Sequence, residues 1–182
     1  SASYTIIVNP IPSLVSPINQ IECEGANVSS TSFASLPSGS SYTWTNSNSA
    51  IGLAASGNGF VPSFTALNGG VTNIIANLSV TPTLNGCSGS AGTYTITIKP
   101  KPVATLPSNF SVCNGGAVAA TSLTSIPAGA GFSWTNTSTS TGLSASGTGD
   151  VPAFIATNSG TTVLNSTISI APTLAGCAGN TA

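Results

Sequence analysis

The sequence predicts an all-β fold laid out as tandem sandwich modules with a period of 90 residues. Three observations predict it. The chain repeats itself, without a gap, at an offset of 90. Its apolar residues alternate with Thr and Ser over short runs, and Gly-, Asn- and Ser-rich turns separate those runs. The helix formers Glu, Lys, Arg, Gln and Met are nearly absent, and no sustained 3.6-residue pattern appears.

The repeat fixes the organisation. At the 90-residue offset Cys23 falls on Cys113, Trp44 on Trp134 and Cys87 on Cys177. About 40% of paired positions are identical, on the order expected of sibling modules. The ends are out of phase with the module. SASYTIIVNPIP (Ser1 to Pro12) matches AGTYTITIKPKP (Ala91 to Pro102), so the chain starts just before one copy of a strand and stops just before the next. Prolines mark strand ends, which makes NPIP and KPKP the linkers. Residues 1–12 then read as the last strand of a preceding module, or as a donor strand carried by Tyr4, Ile6 and Val8. Residues 13–102 read as a complete sandwich, and 103–182 as a second sandwich lacking its last strand. Pro-stiffened linkers predict a rod-like array. No signal peptide is readable at Ser1, so the start reads as mature or excised.

Within a module the strands follow from alternation. Tyr94, Ile96 and Ile98 alternate with Thr95, Thr97 and Lys99. Ile74 to Thr81 is a strand with Ile74, Leu78 and Val80 on one face, repeated by Leu164, Ile168 and Ile170. Tyr42 and Trp44 alternate with Thr43 and Thr45, and Phe60 to Ala66 reads as a further strand. Strands every 8 to 12 residues or so, with a Trp on a middle strand, suggest a seven-strand immunoglobulin-like sandwich. Trp44, Trp134, Phe64 and Phe154 are the expected core aromatics.

Composition excludes several functions. Only Glu22, Glu24, Lys99, Lys101 and Asp150 are charged, and there is no His and no Met. Such a chain has no basic patch for nucleic acid. No apolar run reaches 18 residues, so membrane insertion by a helix is not expected. Without His, Ser-His-Asp and Cys-His catalysis fail. Glu22 and Glu24 have Val112 and Asn114 as counterparts, a poor basis for a paired-carboxylate enzyme. Asp150 alone is too few carboxylates for calcium, and two Cys per module without His argue against zinc. No cofactor and no enzymatic activity are expected. SGNG and SGTG lack a following GK[ST] and read as turns, not phosphate loops.

Cys23, Cys87, Cys113 and Cys177 read as a disulfide framework and an oxidising, extracellular setting. The favoured pairs are Cys23–Cys87 and Cys113–Cys177, each closing a loop of about 64 residues, worth roughly 4 kcal/mol. In an immunoglobulin-like strand order those cysteines tend to lie at opposite ends of a sandwich, which leaves open an intermodule staple such as Cys23–Cys177. Sequons occur at Asn27, Asn77, Asn109, Asn136 and Asn165, candidates for N-glycosylation if the host performs it.

The linked motifs WTN-x5-GL-x-AS, PTL-x-GC and YTI-x-[IV]-x-P-x-P, present in both copies, resemble the PKD-like, immunoglobulin-type repeats of large Bacteroidota surface proteins. That resemblance implies export by type IX secretion and a role as adhesin or surface fibre. It supplies no catalytic residues. The expected function is a structural or adhesive repeat of an extracellular cell-surface fibre, whose partners are neighbouring copies of the same repeat and surface polysaccharide or glycans. Two alternatives stand beside it: a carbohydrate-binding module, which needs exposed aromatic rings, and a strand-donating subunit of a non-covalent filament.

Overall fold

The computed structural model describes residues 2–182. It forms two compact units, Ser1–Lys99 and Pro100–Ala182. Both are all-β. Among the described residues there is no α-helix, and single 3-10 turns occur at Ser49–Ile51 and Thr139–Thr141. The expected first strand of 1–12 begins on Ser1, which lies outside the described residues.

Unit 1 contains ten strands: β1 (Ser13–Val15), β2 (Gln20–Cys23), β3 (Asn27–Val28), β4 (Ala34–Leu36), β5 (Ser41–Asn46), β6 (Ser56–Asn58), β7 (Phe64–Thr65), β8 (Ile74–Leu84), β9 (Cys87–Ser88) and β10 (Gly92–Lys99). The main sheet runs β2-β10-β8-β5-β6, with β9 hairpinned onto β8. Two small ladders, β1–β4 and β3–β7, complete the sandwich. The first strand of the main sheet, β2, runs parallel to the last, β10, while the β10–β8 and β8–β5 pairs are antiparallel.

The alternation explains which way β10 faces. Tyr94, Ile96 and Ile98 are buried, with Thr between them on the outer face. They join Leu78, Val80, Trp44, Ile51 and Val28 in one core. Strand β8 runs three residues past the expected Thr81. Pro82 is tolerated within it because its carbonyl faces Gly89 (2.9 Å), so the missing N–H falls where the ladder partner changes from β10 to β9.

Unit 2 contains β11 (Val103–Thr105), β12 (Ala117–Val118), β13 (Thr124–Ile126), β14 (Gly131–Asn136), β15 (Ser146–Thr148), β16 (Phe154–Ile155), β17 (Ile168–Leu174) and β18 (Cys177–Ala178). Its sheet runs β15-β14-β17-β18, with β11–β13 and β12–β16 ladders. These elements sit 90 residues on from their unit 1 counterparts, but nothing in unit 2 occupies the places of β2 and β10.

Four expectations need correcting. Phe60–Ala66 is not one strand: an isolated Thr31–Val61 bridge and the two-residue β7 flank Pro62, which has no N–H to donate. The alternation from Leu164 does not form a strand until Ile168, because residues 164–167 have no partner where β8 has β10. Phe64 and Phe154 pack against the cores but remain half-buried, each in a two-residue ladder at the sandwich margin. Asn136 is buried, and its amide donates to the carbonyls of Leu143 (3.0 Å) and Ser138 (3.0 Å), so no glycan can be attached in the folded unit.

Candidate functional site

The chemistry-bearing side chains do not converge. Among the described residues no three of His, Cys, Asp and Glu come together. The Asp150 carboxylate accepts from the Leu123 N–H (2.8 Å) and the Ser122 hydroxyl (3.1 Å), which ties the start of a strand to a turn. A cleft of about 350 Å³ between Ile11–Leu14 and Ser90–Gly92 presents backbone, small side chains and aliphatic groups, with no aromatic ring and no charge.

Trp44 and Trp134 are each 3% exposed. Both rings lie against a glycine. A Cβ on Gly57 would stand 2.3 Å from the Trp44 ring, and one on Gly147 would stand 2.2 Å from the Trp134 ring. The SGNG and SGTG segments therefore contribute the floor of an indole niche (Gly57, Gly147) as well as a turn. Sequence reasoning found the turn and missed the niche. Tyr42 is half-buried and stacks at a tilt on Phe33, with ring centroids 5.5 Å apart.

The two units differ around β10. In unit 1, β10 lies between β8 and β2, with Tyr94 opposite Leu78, Ile96 opposite Ala76 and Ile98 opposite Ile74. The flanking groups serve it directly. Asn19 Oδ1 accepts the Thr95 N–H (2.8 Å), and the Asn68 amide donates to the Ile98 carbonyl (2.7 Å). In unit 2 the counterparts of those two asparagines are Asn109 and Asn158. Leu164, Phe110 and Val112 are exposed. The Asn158 amide keeps its bond to Thr162 (2.9 Å), as Asn68 does to Thr72, but has no counterpart of the Ile98 carbonyl. At the far end, Ala182 exchanges two backbone bonds with Ile170 (2.8 and 2.9 Å), in the register that Gly92 holds against Val80.

Residues 2–12 form no ladder, and Tyr4, Ile6 and Val8 are 87%, 73% and 86% exposed. The segment is held at its end: the Asn9 amide donates to the Asn85 carbonyl (3.3 Å), and Pro12 is buried. A row of apolar side chains beside unpaired backbone is what an edge strand must avoid unless a partner covers it.

The cysteines also depart from the favoured pairing. Cys23 and Cys177 are disulfide-bonded, whereas Cys87 and Cys113 are free thiols, so neither Cys23–Cys87 nor Cys113–Cys177 forms. The reason is distance. Cys23 is level with Lys99, next to the start of β8, while Cys87 pairs with Leu84 at its end. The 11 residues of β8 separate them by roughly 35 Å, far beyond a disulfide's reach of about 7 Å. Cys113 and Cys177 are placed alike. Gly116 N–H bonds the Cys113 carbonyl (2.9 Å) in the turn that Ala26 and Cys23 make, and Cys177 pairs with Leu174 at the end of β17.

One family model matches part of the chain. Residues 19–102 match the PKD-like domain family, and the fold is immunoglobulin-like of the PKD-like kind. No curated protein matches the chain. Among solved structures it aligns with DIP-gamma IG1+IG2 at 10% identity, covering 95% of this chain and 94% of that one, with a TM-score of 0.48. It aligns with the N-terminal Ig1-2 module of the Drosophila receptor protein tyrosine phosphatase DLAR at 14% identity, 94% and 96% coverage and a TM-score of 0.31. The tandem Ig repeats of Dlar align at 13% identity, 93% and 92% coverage and a TM-score of 0.30.

Proposed function

We propose that this chain is a structural repeat of an extracellular surface fibre or large adhesin, of the kind that Bacteroidota export by type IX secretion. The observation that carries the reading is the repetition, 90 residues on, of one set of short strands in two all-β units whose chemistry-bearing side chains do not converge among the described residues. The disulfide-bonded Cys23 and Cys177 fit an oxidising, extracellular compartment. The role is mechanical, with no reaction, and the linked WTN, PTLxGC and YTI motifs support the adhesin setting.

The carbohydrate-binding reading is weaker. Its platform would be Trp44 and Trp134, and both are buried. Surface glycans and polysaccharide remain partners proposed from composition, with Asn27, Asn77, Asn109 and Asn165 exposed for modification.

The test is to raise antibodies against the folded chain and apply gold-labelled antibody to intact cells that make the protein. Labelled fibres outside the cell, removed by brief protease treatment, are the expected result. Label seen only after the cells are opened would overturn the assignment.

A further inference from the structure

We propose that Asn85 is a self-modification site: the Asn85–Gly86 turn of unit 1 converts unaided to aspartate and isoaspartate, ahead of every other Asn–Gly step in the chain. The inference goes beyond the fibre reading and does not depend on it.

The chain has four Asn–Gly steps, at Asn58, Asn68, Asn85 and Asn114. All four carry the same chemistry. The glycine backbone nitrogen, once it has given its proton to base, attacks the Asn side-chain carbon Cγ. An N–Cγ bond forms, the Cγ–Nδ2 bond breaks, and Nδ2 takes up a proton and leaves as ammonia. Water then opens the cyclic imide at either carbonyl, giving aspartate or isoaspartate. No oxidant or reductant takes part. Glycine favours the step because it puts no side chain beside the attacking nitrogen.

The fold restrains three of the four. The Gly59 N–H donates to the Tyr42 carbonyl (2.8 Å), and the Gly115 N–H to the Ala156 carbonyl (2.8 Å). An N–H held in such a bond keeps its proton and is withheld as a nucleophile. The Asn114 side chain is engaged too, since its Oδ1 accepts the Asn158 N–H (2.9 Å). Asn68 is 1% exposed. Its amide donates to the Thr72 (2.9 Å) and Ile98 (2.7 Å) carbonyls, and its Oδ1 accepts the Gly70 N–H (3.1 Å). Its Cγ cannot turn toward the Gly69 nitrogen without breaking those bonds.

Asn85 differs on each count. Asn85 and Gly86 are the two central residues of the β8–β9 hairpin, with φ of 48° and 81°, as a type I′ turn requires. Both are exposed. A Cβ built on Gly86 would meet nothing within 4 Å, so water and base reach this tip. Among the described residues neither the Asn85 side chain nor the Gly86 N–H has a hydrogen-bond partner. The Asn85 carbonyl accepts from the Asn9 amide (3.3 Å), which draws charge from the peptide group and makes the Gly86 N–H more acidic. Attack needs only this tip to rotate, a local opening and not the loss of a ladder.

Unit 2 carries its own control. The same turn there is Ala175–Gly176, with φ of 50° and 86°, and it has no side-chain amide to react. Conversion therefore adds a negative charge to the hairpin of one unit and not to that of its sibling. Isoaspartate also adds a methylene to the backbone, which a two-residue turn does not accommodate.

The experiment incubates the purified, folded 182-residue chain in mildly alkaline heavy-oxygen water and follows each asparagine by peptide mass mapping. Asn85 is expected to convert at least about tenfold faster than Asn58, Asn68 or Asn114. Unfolding in urea should bring the four within about threefold of one another, since only local sequence then acts. Asn85→Ala, which copies Ala175, should remove the leading acidic band on isoelectric focusing while the chain keeps its circular dichroism. Conversion led by any of the other three, even conversion of all four in the folded chain, or an Asn85 that stays intact while folded would each overturn the proposal.

Discussion

The two units share their turns, their Trp niche and about 40% of their residues, yet their interiors differ. In unit 1, Val28, Ile51, Leu78, Val80, Ile96 and Ile98 are all 0% exposed. In unit 2 the core cluster of Ala104, Leu123, Trp134, Leu143, Val151 and Ile170 retains 3–8% exposure, and Ile168, the counterpart of Leu78, is half-buried. The strand β10 accounts for most of the difference. It supplies Tyr94, Ile96 and Ile98, and it covers the side chains of β8 beneath it. Losing one strand thus thins a core by more than the residues removed, because each of its neighbours becomes partly wet. Some of the divergence is local. Ile51 of unit 1 is matched by Thr141, and Phe33 by Leu123, so unit 2 also has less apolar volume to bury.

The largest break of this comparison is a matched truncation. Leu78→Ala removes a fully buried side chain and should destabilise unit 1 by about 3 kcal/mol. Ile168→Ala at the matching place should cost unit 2 only about 1 kcal/mol, since the side chain is already half in water. Urea unfolding followed by fluorescence reads each unit separately if the other unit's Trp is replaced by Phe. Equal losses would mean that the missing strand has no energetic consequence.

How much of this was legible in the chain depends on range. Alternation over Tyr94–Lys99 placed β10 and its buried face, since a period of two is a local property. The sequence could not show that Leu164–Thr167 would fail to form a strand: its apolar pattern copies β8, and only the absent neighbour withholds the hydrogen bonds. Asn136 passes as a sequon because three residues define one, whereas its burial depends on a loop seven residues away. The cysteine spacing carried the doubt about intramodule pairing, and the length of β8 turned that doubt into a distance. The close approach of Cys87 to Asn9 spans 78 residues and has no sequence signal at all.

A smaller effect sharpens the role of the polar groups around β10. Asn68 is 1% exposed and donates to both Ile98 (2.7 Å) and Thr72 (2.9 Å). Asn68→Ala leaves the Ile98 carbonyl buried without a donor and should cost about 2 kcal/mol. Asn158→Ala breaks two exposed bonds, to the Thr162 carbonyl and from the Gly160 N–H, so less than about 1 kcal/mol is expected. The same single-Trp unfolding curves measure both. Should Asn158→Ala cost as much as Asn68→Ala, the Asn158 amide would have a buried partner like that of Asn68.

The smallest effect separates the units by pH. Burial pushes the Tyr94 phenol above its usual value of 10.0, with the Thr31 hydroxyl pulling weakly the other way. The folded unit therefore favours the neutral phenol. That preference is fully present below pH 10, where the unfolded chain also keeps its proton, and it is lost as pH rises through the folded value. Unit 1 should lose urea resistance above about pH 10, while unit 2, which contains no tyrosine, should not share this loss. Tyr94→Phe isolates the cause, because it keeps the ring in the core and removes the titrating group. The variant should flatten the alkaline fall of unit 1 between pH 9 and pH 11 on an order-of-magnitude scale of titration. A fall that persists unchanged in Tyr94→Phe would assign the sensitivity to another group and leave β10 without a titrating reporter.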